Sequence, residues 1–308
     1  VPPRTCRVAA LLLWASATHA LASQPLVDRR SLLRGCAGAA ATSAFVPPLT
    51  ALAAAAPATA VSAEDIAAQL EEGARISCLG KPWTRAAIGT AAADASTSYM
   101  PQIPAWLEGK WTVAATLKGV NLPLGRKFVT GNSPGVRMAS ILLLPNVGNQ
   151  PEGYTQTFTK ASGRKGADVL TSNCATLVET YWPGSNITAA GVNSAGSVEL
   201  TFKGPPPYDQ DQRTRLQPIY TASATRDDGS VFTEQVFRQE NVDAAFTSIF
   251  KVVSQYSIDV DDTNKAKPQR VIQRQRVAAF ADLNDQDYIE AGGQAVALYD
   301  MKYLLERA

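Results

Sequence analysis

The chain has 308 residues, with 29 lysines and arginines against 27 aspartates and glutamates, four cysteines and one histidine, His19. So even a charge balance offers no basic face to a nucleic-acid backbone. A single histidine and four cysteines without metal-ligand spacing give no transition-metal site.

Residues 8 to 22 form an apolar run of signal-peptide length, with Arg4 and Arg7 before it and the small-residue exit Ala20-Leu21-Ala22 after it. A second signal follows. It opens with Asp28 and the pair Arg29-Arg30, continues through Arg34 into an alanine-rich stretch, and offers exits at Ala51-Leu52-Ala53 and Val61-Ser62-Ala63. A first targeting signal followed by a twin-arginine signal resembles the presequence of plastid proteins bound for the thylakoid lumen. It implies a bipartite presequence over 1 to 63; the patterning of the rest predicts an N-terminal helix and surface tie over 64 to 103 and a β-barrel domain over 104 to 308. Removing the presequence takes five of the 29 basic residues, one of the 27 acidic ones, His19, Cys6 and Cys36, and leaves a net charge of about −2. Neither apolar run predicts a membrane span: the first is shorter than the roughly 20 residues a spanning helix needs. The second is broken by Pro47, Pro48 and Pro57.

Ile66, Ala67, Leu70 and Ala74 share one stripe in residues 64 to 76, with acids in the first turn, so a short helix is expected there. Residues 77 to 104 have no sustained period and predict a surface tie. From Gly109 the pattern changes. Trp111, Val113, Ala115 and Leu117 alternate with Lys110, Thr112, Thr116 and Lys118, the period of a half-buried strand. Similar stretches recur at 137–144, 154–160, 175–182, 197–203, 218–226, 231–239, 249–260, 270–280 and 295–306, and Asp227-Asp228-Gly229 marks a hairpin. Eight to ten antiparallel strands with few helical windows predict an all-β fold, closed as a barrel so that no edge is left open. The loops 119–136, 145–153 and 204–217 are rich in Pro, Gly and Asn and suit docking arms.

Candidate chemistry is sparse. Gly131-Asn132-Ser133-Pro134-Gly135 spells a nucleophile elbow, but Pro134 lacks the N–H an oxyanion hole needs and no histidine follows, so a turn is expected. Asp282, Asp285, Asp287 and Glu290 are acidic enough for calcium but miss the EF-hand spacing, so a solvated loop is expected. Asn186-Ile187-Thr188 spells a glycosylation acceptor. Cys78 and Cys174 are either a disulfide pair, which the lumen permits, or two separately buried thiols. Glu234 lies between Phe232 and Val236 on one strand face, and Arg274 and Arg276 share a face with Ile272, Ala278 and Phe280. Charges turned into a barrel must be paired, or they serve a ligand.

Gly109-Lys110-Trp111 resembles the opening of lipocalins and their relatives. The resemblance implies a tryptophan closing the barrel floor with an arginine packed across it, for which Arg274 and Arg276 are the candidates. Pro104-Ala105-Trp106-Leu107-Glu108-Gly109-Lys110-Trp111, Pro123 to Phe128, Ala295 to Tyr299 and Lys302-Tyr303 resemble a thylakoid-lumen domain family of cyanobacteria and plastids whose function is unknown; it supplies no catalytic residues. The expectation is a non-catalytic lumenal lipocalin-like barrel that needs no cofactor. Its interior, lined by Trp111, Val113, Leu117, Glu234, Tyr256, Ile258, Arg274, Arg276, Tyr299, Met301 and Tyr303, would hold an apolar small molecule such as a pigment, quinone or lipid. The alternative is an extrinsic subunit or assembly factor docked on a photosystem or other thylakoid membrane complex.

Overall fold

The alternation at Gly109 matures into a 13-residue strand, β1 (Gly109–Asn121), whose Trp111, Val113 and Ala115 are buried while Lys110, Thr112 and Ala114 face solvent. The computed structural model describes residues 61–78, 100–130, 142–144, 153–181, 184, 186–193, 197–203, 211–243, 246–262, 264, 266–281 and 286–308. Eight further strands follow: β2 (Gly153–Phe158), β3 (Ile187–Val192), β4 (Val198–Lys203), β5 (Asp211–Thr225), β6 (Val231–Asn241), β7 (Phe246–Ile258), β8 (Arg270–Ala279) and β9 (Ala297–Arg307). All nine pair antiparallel in one sheet, in the order β2-β1-β9-β8-β7-β6-β5-β4-β3. The described part of the chain contains no helix long and apolar enough to cross a membrane.

The fold is β-dominated, as its period-two stretches predict, but the sheet does not close: β2 and β3 are its two edges. It curls strongly nonetheless. Four strand spacings separate β2 from β7, about 19 Å across a flat sheet, yet the rings of Phe158 on β2 and Tyr256 on β7 meet edge to face at 5.6 Å. The long helix α3 (Gly163–Tyr181) lies against β2, β3 and β4 and so covers both edges. Asn173 of this helix does to β2 what a neighbouring strand would: its Nδ2 donates to the Thr157 carbonyl and its Oδ1 accepts from the Thr157 N–H, both at 2.9 Å. Open ladder groups on an edge invite pairing with other chains. One amide side chain supplies the partner here.

Helix α3 corrects the expected strand at 175–182. Ala167, Leu170, Thr171, Cys174, Leu177 and Val178 are among the buried positions, spaced by three and four residues as one helical face requires. The alternation that suggested a strand falls within that longer period. Residues 142–144 form a turn rather than the end of a strand, and 137–141, like the Ser133 elbow, lie outside the described residues. β5 begins at Asp211, so part of the expected loop 204–217 is strand; Pro218 is tolerated there because the register shifts between Pro218 and Tyr220. The expected loop 119–136 likewise starts with the end of β1 and holds one turn of helix, α2 (Lys127–Thr130). The Asp227-Asp228-Gly229 hairpin forms between β5 and β6. Arg226 N–H donates to the Ser230 carbonyl at 2.9 Å, and Gly229 takes the positive φ of 83° that the turn demands.

The expected N-terminal helix is shorter than its stripe. It comprises α1 (Ala63–Ala67), capped by the Ser62 hydroxyl on Asp65 N–H, and one 3₁₀ turn, Ala68–Leu70. This segment packs on the outer face of the sheet, where Ala63, Ile66 and Leu70 cluster with Phe232 and Val253. Further along, Ser77 bridges to Gln294, and Ile76 and Cys78 join Val236, Ile249, Phe280 and Leu298. The middle of the sheet is therefore buried on both faces. The main core lies on the inner face, under α3. A last short helix, α4 (Gln286–Glu290), precedes β9.

Candidate functional site

Strand register decides which side chains share the interior. Val113 pairs with Leu305, Ala115 with Tyr303 and Leu117 with Met301; Tyr303 in turn pairs with Gln273, and Gln273 with Tyr256. Trp111, Val113, Leu117, Tyr256, Ile258, Tyr299, Met301 and Tyr303 thus share the inner face. Three expected interior residues do not. Glu234, Arg274 and Arg276 lie on the outer face, since the inner positions of their strands are Thr233, Gln235, Gln273 and Gln275.

The displaced charges have structural partners. Glu234 and Lys251 form an ion pair of 2.8 Å that is nearly wholly buried, and Gln69 Nε2 donates to the other Glu234 oxygen at 2.8 Å. Arg276 forks onto Asp300 at 2.6 and 3.0 Å, and its remaining nitrogen donates to the main-chain carbonyls of Gln69 and Glu71. Arg276 therefore caps the end of the N-terminal 3₁₀ turn rather than facing a ligand. Arg274 is exposed. The arginine stacked on Trp111 is neither of the two expected but Arg307 of the last strand, with its guanidinium 4.3 Å from the ring centroid. Arg307 also donates to the carbonyls of Trp106, Glu108 and Pro268, while the Trp111 indole N–H donates to Leu107 O at 2.8 Å.

The two cysteines sit in different clusters as free thiols, which corrects the disulfide alternative. Cys78 Sγ lies 3.1 Å from Gly293 O and 3.2 Å from the Tyr288 hydroxyl. Cys174 faces the core, where burial pushes its thiol pKa up to about 12. Of the acidic stretch, 282–285 lie outside the described residues, and Glu290 pairs with Lys127 at 3.1 Å. No group of potential metal ligands gathers among the described residues.

What the inner face does assemble is an uncharged polar relay. Gln273 Nε2 donates to Gln275 Oε1 at 2.9 Å and reaches Ser254 Oγ at 3.3 Å and the Tyr256 hydroxyl at 3.4 Å. The Ser254 hydroxyl donates to Gln275 Oε1 at 3.2 Å, and Gln275 Nε2 donates to the Tyr303 hydroxyl at 2.8 Å. Beyond Tyr303 lies a cavity of about 40 Å³ between the sheet and α3. Its polar lining is Tyr154, Gln156, Asn173, Gln275 and Tyr303; Leu143 and Leu177 supply the apolar part. Tyr154 is 8 % exposed, and its hydroxyl has no hydrogen-bond partner among the described residues. Gln273 Oε1 is also buried without one.

Burial fixes the protonation of this face. Desolvation raises all three phenols: Tyr256 to about 12, and Tyr154 and Tyr303 well above the ordinary value of a phenol, these two also because other tyrosines stand beside them. At neutral pH they are hydroxyl donors and neither bases nor nucleophiles. Tyr303 is the one residue of the expected interior set that reaches the cavity. Tyr154, Gln156, Asn173, Gln273 and Gln275 were missed, although Gln273 and Gln275 alternate with the arginines that drew attention to the wrong face. No protein-family model, no curated protein and no solved structure matches the chain.

Proposed function

We propose that this protein works by binding rather than by catalysis, and that it takes a largely apolar small molecule, such as a pigment, quinone or lipid, between the inner face of its curled sheet and α3. The observation that carries this reading is Tyr154, which lies on the wall of a cavity with a hydroxyl that has no hydrogen-bond partner among the described residues. On the same face Gln273 Oε1 is buried without a partner; such a group costs about 1–3 kcal/mol, and proteins keep such groups where something else completes them. The protonated phenols argue against acid–base chemistry on the same face. The Trp111–Arg307 stack and the curl of the sheet support a lipocalin-like build, opened at one seam and covered there by α3. The Arg29-Arg30 address supports the thylakoid lumen as its compartment, with no cofactor required.

A cavity of about 40 Å³ is far below the 300 Å³ or more that a drug-sized ligand occupies. It admits a polar end, and the ligand's body would have to part α3 from the sheet. Native mass spectrometry of protein isolated from thylakoids tests the reading: a stoichiometric small molecule is expected, and Ala115→Phe, which fills the inner face opposite Tyr303, should expel it with the protein still folded. Ligand-free protein that sediments with a photosystem and is released by salt would replace this reading with the docking one.

A further inference from the structure

Resting on the binding reading, we infer that the cavity under α3 receives an uncharged carbonyl-type oxygen at the end of an apolar ligand, and that it rejects the corresponding carboxylate. The donor count points to an acceptor. The Tyr154 hydroxyl has no partner, and the Tyr303 hydroxyl accepts from Gln275 while its own proton has no acceptor among the described residues. Both tyrosines line the cavity, so a space the size of one or two waters is bordered by two side chains whose O–H protons have no acceptor among the described residues. Each hydroxyl is held protonated by burial and is available to donate across the physiological range.

Charge selects against an anion. At the inner positions set by the register of β1, β2 and β4–β9, the one charged side chain among the described residues is Arg307. It is committed to the Trp111 ring and three main-chain carbonyls. The buried face of α3 adds Asn173, Cys174 and Thr171 but no charge; Arg164, Lys165, Asp168 and Glu179 are exposed. A carboxylate in this cavity would lose its hydration and meet no cation among the described residues, which is costly. A ketone, ester or quinone oxygen gives up far less hydration and gains two donors. A saturated chain end would leave both hydroxyls unpartnered.

A matched series separates these cases: 2-undecanone, undecanoate and undecane, titrated into the intact protein by calorimetry, with the ketone carbonyl stretch followed by infrared spectroscopy. The ketone is expected to bind at least tenfold tighter than either analogue, with its carbonyl band shifted to lower frequency by hydrogen bonding. Tyr154→Phe removes a hydroxyl that holds nothing else in place. It should leave the melting temperature within a degree or two, weaken the ketone severalfold and move the band back, and should leave undecane unchanged. Tyr303→Phe should act in the same direction. Binding of undecanoate or undecane as tight as the ketone, or a ketone band insensitive to Tyr154→Phe, would overturn the carbonyl assignment while leaving a binding cavity. If none of the three binds, the assignment and the binding reading fall together.

Discussion

Trp111 shows how one residue joins the first strand to the last. Its ring is wholly buried, its indole N–H is satisfied by Leu107, and Arg307 closes over it. Trp111→Ala should cost about 3–5 kcal/mol, read by chemical denaturation; a loss below about 1 kcal/mol would place the ring outside the core. Gly109 is part of the same joint. Its φ is 123°, and a Cβ there would lie 3.1 Å from Arg307 Nη1, so Gly109→Ala should cost on the order of 1–3 kcal/mol. The buried Glu234–Lys251 pair predicts an asymmetry. Lys251→Met alone strands a buried carboxylate and should cost about 3–5 kcal/mol, whereas Glu234→Leu combined with Lys251→Met should recover most of that loss. Equal stabilities for the single and double variants would contradict the burial of the pair. Glu234 and Arg276 were misplaced for a reason visible at this scale. In β6 and β8 both faces are buried, because the N-terminal segment covers the outer one. Period-two patterning then says which residues share a face, and Arg274 and Arg276 do share one with Ile272, Ala278 and Phe280. It cannot say which face is the interior.

At the scale of elements, strands were legible whether or not their outer face is covered, but only a wet face shows which side is the interior. β1 was read residue by residue since Lys110 and Thr112 mark its solvent side. Helix α3 was missed because its polar Thr, Ser and Asn positions interrupt an apolar stripe that is clear only when followed from Ala167 to Val178. Its role at the sheet edge is testable through Asn173, whose two bonds to Thr157 are its contribution to β2. Asn173→Ala should destabilise the fold by about 1–3 kcal/mol and speed hydrogen exchange at the Thr157 amide more than in β7 or β8. Uniform exchange across the sheet would mean the helix does not guard this edge. The cavity belongs to the same junction: Tyr154 and Gln156 come from the edge strand, Asn173 and Leu177 from the helix. A site built where a missed helix meets an edge strand could not be assembled from strand patterns alone.

For the whole molecule, the uncharged interior sets a dependence on pH. The buried tyrosines have folded-state pKa values above the ordinary 10 of a phenol, so the unfolded chain loses their protons first as pH rises. Stability is fully present below about pH 10 and falls above it. Tyr154, Tyr256 and Tyr303 should ionise only as the protein unfolds, giving an absorbance step at 295 nm that coincides with the loss of near-ultraviolet dichroism. Gradual ionisation of these three in folded protein would mean the inner face is open to water.

The central claim is that a small molecule is held by the polar groups under α3, and side-chain amide NMR reports on that directly. Gln156, Asn173 and Gln275 line the cavity, while Gln69 sits on the opposite face of the sheet against Glu234. On titration with 2-undecanone, the account predicts that the NH₂ signals of Gln156, Asn173 and Gln275 shift together and saturably, and that those of Gln69 stay in place. Saturable binding that moves Gln69, or surface signals alone, while the three cavity amides remain still would contradict it.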